Sequence, residues 1–164
     1  MPRFLAFLAI AWLTFGTGAL AETFRLPKTG APAFVVDSPP GSTGRFDEQG
    51  NLAVQFDDRS AAVQYSIIGS DEGGLPFPEI ASRIFKAAGT PPYTHTEPGA
   101  ISGVAGQSFS SLMTVNGVML DLTVTIVKLD GSQAAVLAVL RQKSITPAQQ
   151  AAVDALVLQA RIDR

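Results

Sequence analysis

The chain has 164 residues and a net charge of −2, a length that suits one domain with a core of its own. It contains no cysteine, which excludes disulfides, thiol nucleophiles and thiolate metal sites. The charged residues are scattered without a basic run, so nucleic acid and anionic membrane surfaces are poor candidate partners.

Residues 1–21 have the features of a cleavable secretory signal peptide. Arg3 precedes the apolar run Phe4 to Phe15, and Ala19-Leu20-Ala21 has the A-x-A pattern of a cleavage site. Twelve helical residues span about 18 Å, which is too short for a hydrocarbon core of about 30 Å. We therefore expect cleavage after Ala21, export to a bacterial periplasm and no membrane span in the mature protein.

Residues 22–33 contain two prolines and are predicted to be an extended leader lying over a single domain of residues 34–164. Three strands should follow, and a turn at Ser38-Pro39-Pro40-Gly41 should end the first of them. These strands are predicted at 34–36, 51–56 and 61–68.

The middle of the chain predicts one helix between two loops. Apolar residues at helical spacing indicate a helix from Phe77 to Ala88, and Gly89 is suited to end it in a left-handed conformation. The loop before it, Gly69 to Pro76, should be mobile, and the loop after it, Thr90 to Gly99, contains three prolines.

The last third predicts three antiparallel strands and a helix. Asn116-Gly117 and Asp130-Gly131 are typical of two-residue hairpin turns between strands at 107–115, 118–129 and 132–142. Counting back from the second turn gives the pairs Leu122–Val139, Val124–Leu137 and Ile126–Ala135. Thr146-Pro147-Ala148-Gln149 then matches a capping box at the start of a final helix. The predicted fold class is α+β, an antiparallel β-sheet covered by helices.

The sequence offers little for catalysis. His95 is the only histidine, and no G-x-S-x-G, G-x-x-x-x-G-K-[ST] or G-x-G-x-x-G motif occurs. The paired acidic residues lie in predicted turns without the spacing of a calcium loop. We therefore predict no catalytic residues, no metal ligands and no cofactor.

Two segments are candidates for a binding surface. On an extended backbone, alternate residues share a face, which would place Tyr93, His95 and Glu97 together. His95 and Glu97 could then supply two metal ligands or form a pH-sensitive patch, or the segment could be ordinary polar surface. The second candidate is the glycine-rich loop that carries Asp71 and Glu72, because such surface loops often carry binding sites. The alternative is that this loop only connects two elements.

The order of elements resembles that of PsbP-like domains. The resemblance covers roughly residues 33–162. It depends on the segment FVVDSPPG at residues 34–41, the strand pair at 51–68 and the glycine-containing segment Ile101-Ser102-Gly103-Val104-Ala105-Gly106. It implies an α/β/α sandwich used mostly without catalysis, in extrinsic photosynthetic subunits, a Ran-binding transport factor and bacterial envelope proteins. No catalytic residues come with this family.

Two functions follow as expectations. The first is a non-enzymatic periplasmic binding or accessory module that acts on another envelope protein. The alternative is a carrier of a small apolar ligand or lipid, because 46% of the chain is hydrophobic and small side chains on one sheet face could leave a groove.

Overall fold

The computed structural model describes residues 21–130 and 132–163, so the signal-peptide prediction falls almost wholly outside the described residues. Ten strands lie in the described part: β1 (Glu22–Leu26), β2 (Ala33–Ser38), β3 (Ser42–Phe46), β4 (Leu52–Phe56), β5 (Ala61–Ile68), β6 (His95–Ile101), β7 (Val104–Val115), β8 (Val118–Lys128), β9 (Ala134–Gln142) and β10 (Arg161–Asp163). Three helices accompany them: α1 (Ser70–Gly73), α2 (Phe77–Ala87) and α3 (Pro147–Gln159).

The strands form two antiparallel sheets. The large sheet has the order β3-β4-β5-β9-β8-β7-β6, and the small sheet has the order β1-β2-β10. Helix α2 packs on one face of the large sheet, which we call the α2 face. Helix α3 and the small sheet cover part of the other, which we call the α3 face. The predicted α+β class is thus confirmed, and the sandwich has a small sheet in one of its covering layers.

The α2 face is buried by an aliphatic stripe of the helix. Ile80, Ile84 and Phe85 of α2 are almost fully buried against Val124 and Ile126 of the sheet. Gly89 has φ +65°, a left-handed conformation that glycine adopts without a Cβ clash, so the predicted end of this helix is confirmed.

The capping box of α3 is also confirmed. The Thr146 hydroxyl accepts from the Gln149 amide at 3.2 Å, and the Gln149 side chain accepts from the Thr146 amide at 2.8 Å. Val153 and Leu156 are the fully buried side chains of this helix. Tyr65 of β5 lies beneath it, where its ring packs edge-on against Phe34 at 5.3 Å.

The first of the two predicted hairpin turns is confirmed. Asn116 and Gly117 have φ values of +51° and +80°, and Val115 pairs with Val118, as a two-residue type I′ turn requires.

The register from the second turn is wrong by one residue. The Leu129 amide donates to the Gln133 carbonyl, so three residues connect the strands and not two. The pairs become Leu122–Leu140, Val124–Ala138 and Ile126–Val136. The small-residue face that motivated a ligand groove therefore changes: Thr123, Thr125 and Val127 lie beside Val139, Leu137 and Ala135.

The predicted extended leader of residues 22–33 includes a strand. Glu22–Leu26 is β1, which pairs along its whole length with β2. Phe24 and Leu26 are buried in the core of the α3 face, so this segment is part of the packed domain.

Candidate functional site

Tyr93 does not share a face with His95 and Glu97. Its ring packs edge-on against Phe85 and Phe109, with centroids 5.9 and 4.8 Å away, on the α2 face. Strand β6 begins only at His95, so the alternation that was predicted across all three residues does not extend to Tyr93. Tyr93 anchors the chain as it enters β6.

His95 and Glu97 do lie together on the α3 face of β6. The His95 Nε2 atom is 3.7 Å from the Glu97 Oε2 atom, and the two side chains are 66% and 60% exposed. Such exposure leaves the pair in water, where an ion pair contributes at most about 1 kcal/mol. The pair marks an accessible polar surface and adds little to stability.

Asp71 and Glu72 lie elsewhere. They belong to α1, a single helical turn where a mobile loop was predicted, and Glu72 is 3.3 Å from the Arg83 guanidinium of α2. The Lys128 ammonium donates to the carbonyls of Gly73 and Leu75, which fastens this turn to the end of β8. The structure therefore does not bring the two predicted candidate segments together.

The α3 face of the three outer strands is an accessible part of the sheet. Alternate residues of β6, β7 and β8 point to this face, beyond the area that α3 and the small sheet cover. We call it the outer-strand surface, and it comprises His95, Glu97, Ser110, Leu112, Met119 and Thr123. Leu112 and Met119 are 48% and 47% exposed, which places two large apolar side chains in an otherwise polar surface.

The outer-strand surface is concave at its Gly99 end because β6 curls over β7 there. A Cβ atom on Gly99 would lie 3.0 Å from Thr125 Cγ2, although Thr125 is two strands away on β8. Only a strongly curled sheet brings alternate strands so close, and the facing glycines Gly99 and Gly106 remove the side chains that would prevent it. At the floor, the hydroxyls of Ser108 and Thr125 are bonded at 2.8 Å.

Helix α3 borders the outer-strand surface on its other side. Arg141 of β9 links the two, because its guanidinium is 3.0 Å from Asp121 of β8 and 3.2 Å from the Gln150 side-chain oxygen of α3. Asp154 and Leu158 follow Gln150 at helical spacing on the same side of α3. Leu158 is 83% exposed and Asp154 is exposed, so the border is accessible as well.

The described residues contain no group of three His, Cys, Asp or Glu side chains able to hold a metal ion. No helix within residues 21–130 and 132–163 is long and apolar enough to cross a membrane. The outer-strand surface presents two hydroxyls, one imidazole, one carboxylate, one thioether and one aliphatic side chain. Such a set suits non-covalent contacts.

The space in which a carrier would hold its ligand, between the large sheet and its covering layers, is filled by two clusters of buried side chains. Three depressions on the described surface are open to solvent, with volumes of about 170 to 310 Å³.

Comparison with protein-family models and with curated proteins finds no match. Solved structures do match. LpqN of Mycobacterium tuberculosis, involved in cell envelope biogenesis, superimposes with a TM-score of 0.50 at 9% identity over 88% of this chain and 92% of its own. The Ran-binding protein Mog1p of Saccharomyces cerevisiae gives 0.51 at 10% identity over 87% of this chain and 96% of its own.

A third structure, from Bacteroides thetaiotaomicron, gives a TM-score of 0.53 at 13% identity. It covers 80% of this chain, but the chain spans only 45% of that protein. At these identities the likeness concerns the fold, and it agrees with the α+β class derived from the strands and helices.

Proposed function

We propose that this protein is an exported, non-enzymatic accessory module of the PsbP-like type that binds another envelope protein through the outer-strand surface. The observation that carries the proposal is the exposure of Leu112 and Met119 on one face of the sheet. Apolar side chains grouped within a polar rim are typical of protein-binding surfaces. The fold shared with LpqN, which is involved in cell envelope biogenesis, and with the Ran-binding protein Mog1p supports the same class of function.

The charges around this surface favour one kind of partner. Glu97 and Asp154 carry exposed carboxylates at its two borders, Glu97 beside His95 and Asp154 accepting from the Gln150 side-chain amide. Arg141, in contrast, is engaged by Asp121. Complementary potentials speed association and exclude wrong partners. We therefore expect the partner to present basic groups around an apolar centre.

The binding proposal is tested by capture from an envelope extract with quantification of the captured proteins. The variant L112T/M119T removes both apolar side chains while keeping strand-forming residues. V118T is the matched control, because Val118 is exposed on the α2 face of the same hairpin. We expect the double variant to lose at least about tenfold of the specific capture and the control to keep it.

Equal capture by the parent and L112T/M119T, or recovery of the bait alone after crosslinking of the parent, would count against the proposal. The export component has a separate test. N-terminal sequencing of protein from the periplasmic fraction should begin at Glu22, and a sequence beginning at Met1 or Pro2 would refute it.

A further inference from the structure

The uncovered strands beside α3 leave a space as wide as one further helix. Helix α3 lies over β5 and β9, because its Leu156 carbonyl accepts from the Tyr65 hydroxyl at 3.4 Å and its Gln150 side chain accepts from Arg141. Strands β8, β7 and β6 follow β9 in the sheet. At about 4.8 Å per strand, β6 lies about 14 Å from β9. An α-helix with its side chains is about 10 to 12 Å wide.

The outer-strand surface is also long enough for a short helix. Between Met119 and Thr125, β8 rises about 20 Å, which equals about 13 residues of α-helix. Thr125 is level with Glu97, since both residues pair with Ser108 of β7. Beyond this row the space closes, because the Ile162 amide of β10 donates to the Ser102 hydroxyl in the turn between β6 and β7. The surface is therefore open at the β7–β8 hairpin and closed at the opposite end.

Accessible apolar side chains stand on two sides of this space. Leu112 and Met119 project from the sheet, and Leu158 projects from α3 with 83% of its surface exposed. Leu158 follows Gln150 and Asp154 at helical spacing on the side of α3 that faces the uncovered strands. A helix lying beside α3 would contact all three apolar side chains.

Backbone hydrogen bonding favours a helix over an extended segment at this place. The amides and carbonyls of β7 and β8 are already used in the ladders with their neighbours on both sides. A segment that lies on the sheet face must therefore satisfy its own backbone groups, and a helix does so internally. An extended segment could add only at the free edge of β6, where Pro98 has no amide to donate.

The charges at the two borders define the helix that fits. Glu97 on the β6 side is 60% exposed, and Asp154 on the α3 side is exposed as well. Lysine or arginine on both flanks of the added helix would complement these carboxylates. A second copy of the described chain does not supply such a helix, because α3 contains no lysine or arginine and the apolar side of α2 is buried against its own sheet.

We propose that the binding partner inserts a basic amphipathic helix of about 13 residues beside α3, which completes the layer on the α3 face. This inference rests on the proposed function and names the partner's binding element. The apolar face of the added helix would contact Leu112, Met119 and Leu158, and its basic flanks would face Glu97 and Asp154. Small residues would suit the part above the hydroxyls of the sheet.

The proposal is tested by titrating the purified protein with a synthetic peptide of about 14 residues made of leucine, alanine and lysine, with leucines at i, i+3, i+4 and i+7. We expect saturable shifts of the Leu112, Met119 and Leu158 backbone amide signals with a Kd of about 0.1 mM, and a gain of helical circular dichroism in the peptide. A peptide of the same composition with leucine and lysine in alternation, and one with glutamate for lysine, should each bind at least about tenfold more weakly.

Variants of the protein locate the binding site. Leu158→Gln should weaken binding by about tenfold, and Glu97→Gln combined with Asp154→Asn by at least about threefold. Lys86→Gln, on the outer side of α2, should bind as the parent does. Failure of the helical peptide to bind, equal binding of the alternating peptide, or shifts that map away from these residues would overturn the proposal.

Two further outcomes separate this inference from the proposed function. A dimer of the parent protein that L112T/M119T dissociates would assign the surface to a second copy and overturn the inserted helix. Specific capture of an envelope protein without binding of the helical peptide would refute the helix alone. Binding of the peptide without capture of any envelope protein would refute the proposed function and leave the helix-binding surface in place.

Discussion

Replacing Gly106 by alanine should disrupt the curl that makes the outer-strand surface concave. A Cβ atom at this position would lie 2.0 Å from the Ile126 carbonyl oxygen and 2.8 Å from Val127 Cγ1. Ordinary contact begins near 3.4 Å, so β7 would have to move by more than 1 Å from β8. The obstacle is backbone inside a strand ladder, which cannot rotate away as a side chain can.

We expect G106A to destabilise the protein by about 3 kcal/mol, the upper end of the range for overpacked positions. For a domain of this size that corresponds to a fall of roughly 10 °C in Tm. Urea denaturation followed by circular dichroism would give the free energy of unfolding, and a thermal scan would give the Tm.

Gly69 provides the matched control. It has φ −75°, and a Cβ atom added there would have no other atom within 4 Å, so G69A should change stability by no more than about 0.5 kcal/mol. If G106A melts within about 2 °C of the parent, or no lower than G69A, the close approach of β7 and β8 is wrong and the concave surface is not built as described.

Three further substitutions test other parts of the fold. Gly117→Val should cost at least about 1 kcal/mol in urea denaturation because a β-branched residue resists φ +80°, and an unchanged midpoint would refute the type I′ turn. Thr146→Ala should cost about 1 kcal/mol by removing the capping hydroxyl of α3, and the loss should be absent if the box does not form. The amides of Ser132 and Gln133 lower the pKa of Asp130, so its stabilisation exists above the unfolded pKa of 3.8 and is lost as pH falls through the folded pKa. Asp130→Asn should therefore lose less stability than the parent between neutral pH and about pH 3, and identical acid profiles would contradict this.

The elements with strong local signals could be predicted from the sequence. Helix α3 was predictable from its capping box, α2 from its apolar spacing, and the hairpin at Asn116-Gly117 from a dipeptide that favours positive φ at both positions. In each case the short-range chemistry and the tertiary packing favour the same structure.

The missed strands lack such signals. Strand β6 contains Pro98 and Gly99, residues that normally argue against a strand, and it is tolerated because it lies at the sheet edge. Strand β10 has three residues, and β3 contains Gly44, whose missing side chain leaves room for the Phe24 ring. Strand β10 forms by pairing with the distant β2, whereas β3 and β6 pair with the next strand along the chain through segments whose glycine and proline residues hide the strand pattern.

The candidate sites, too, could be predicted from the sequence only in part. Alternation correctly placed His95 and Glu97 on one face, but it could not show that Tyr93 turns toward Phe85 and Phe109.

The most direct test of the proposed function is site-specific photo-crosslinking in the living host. A photoreactive residue at Met119 lies on the outer-strand surface, and the same residue at Lys86 lies on α2, on the opposite side of the large sheet. We predict an adduct with one envelope protein from position 119 that is absent from position 86 and is reduced by Leu112→Thr. Adducts of the same protein from both positions, or from Lys86 alone, would contradict binding through this surface.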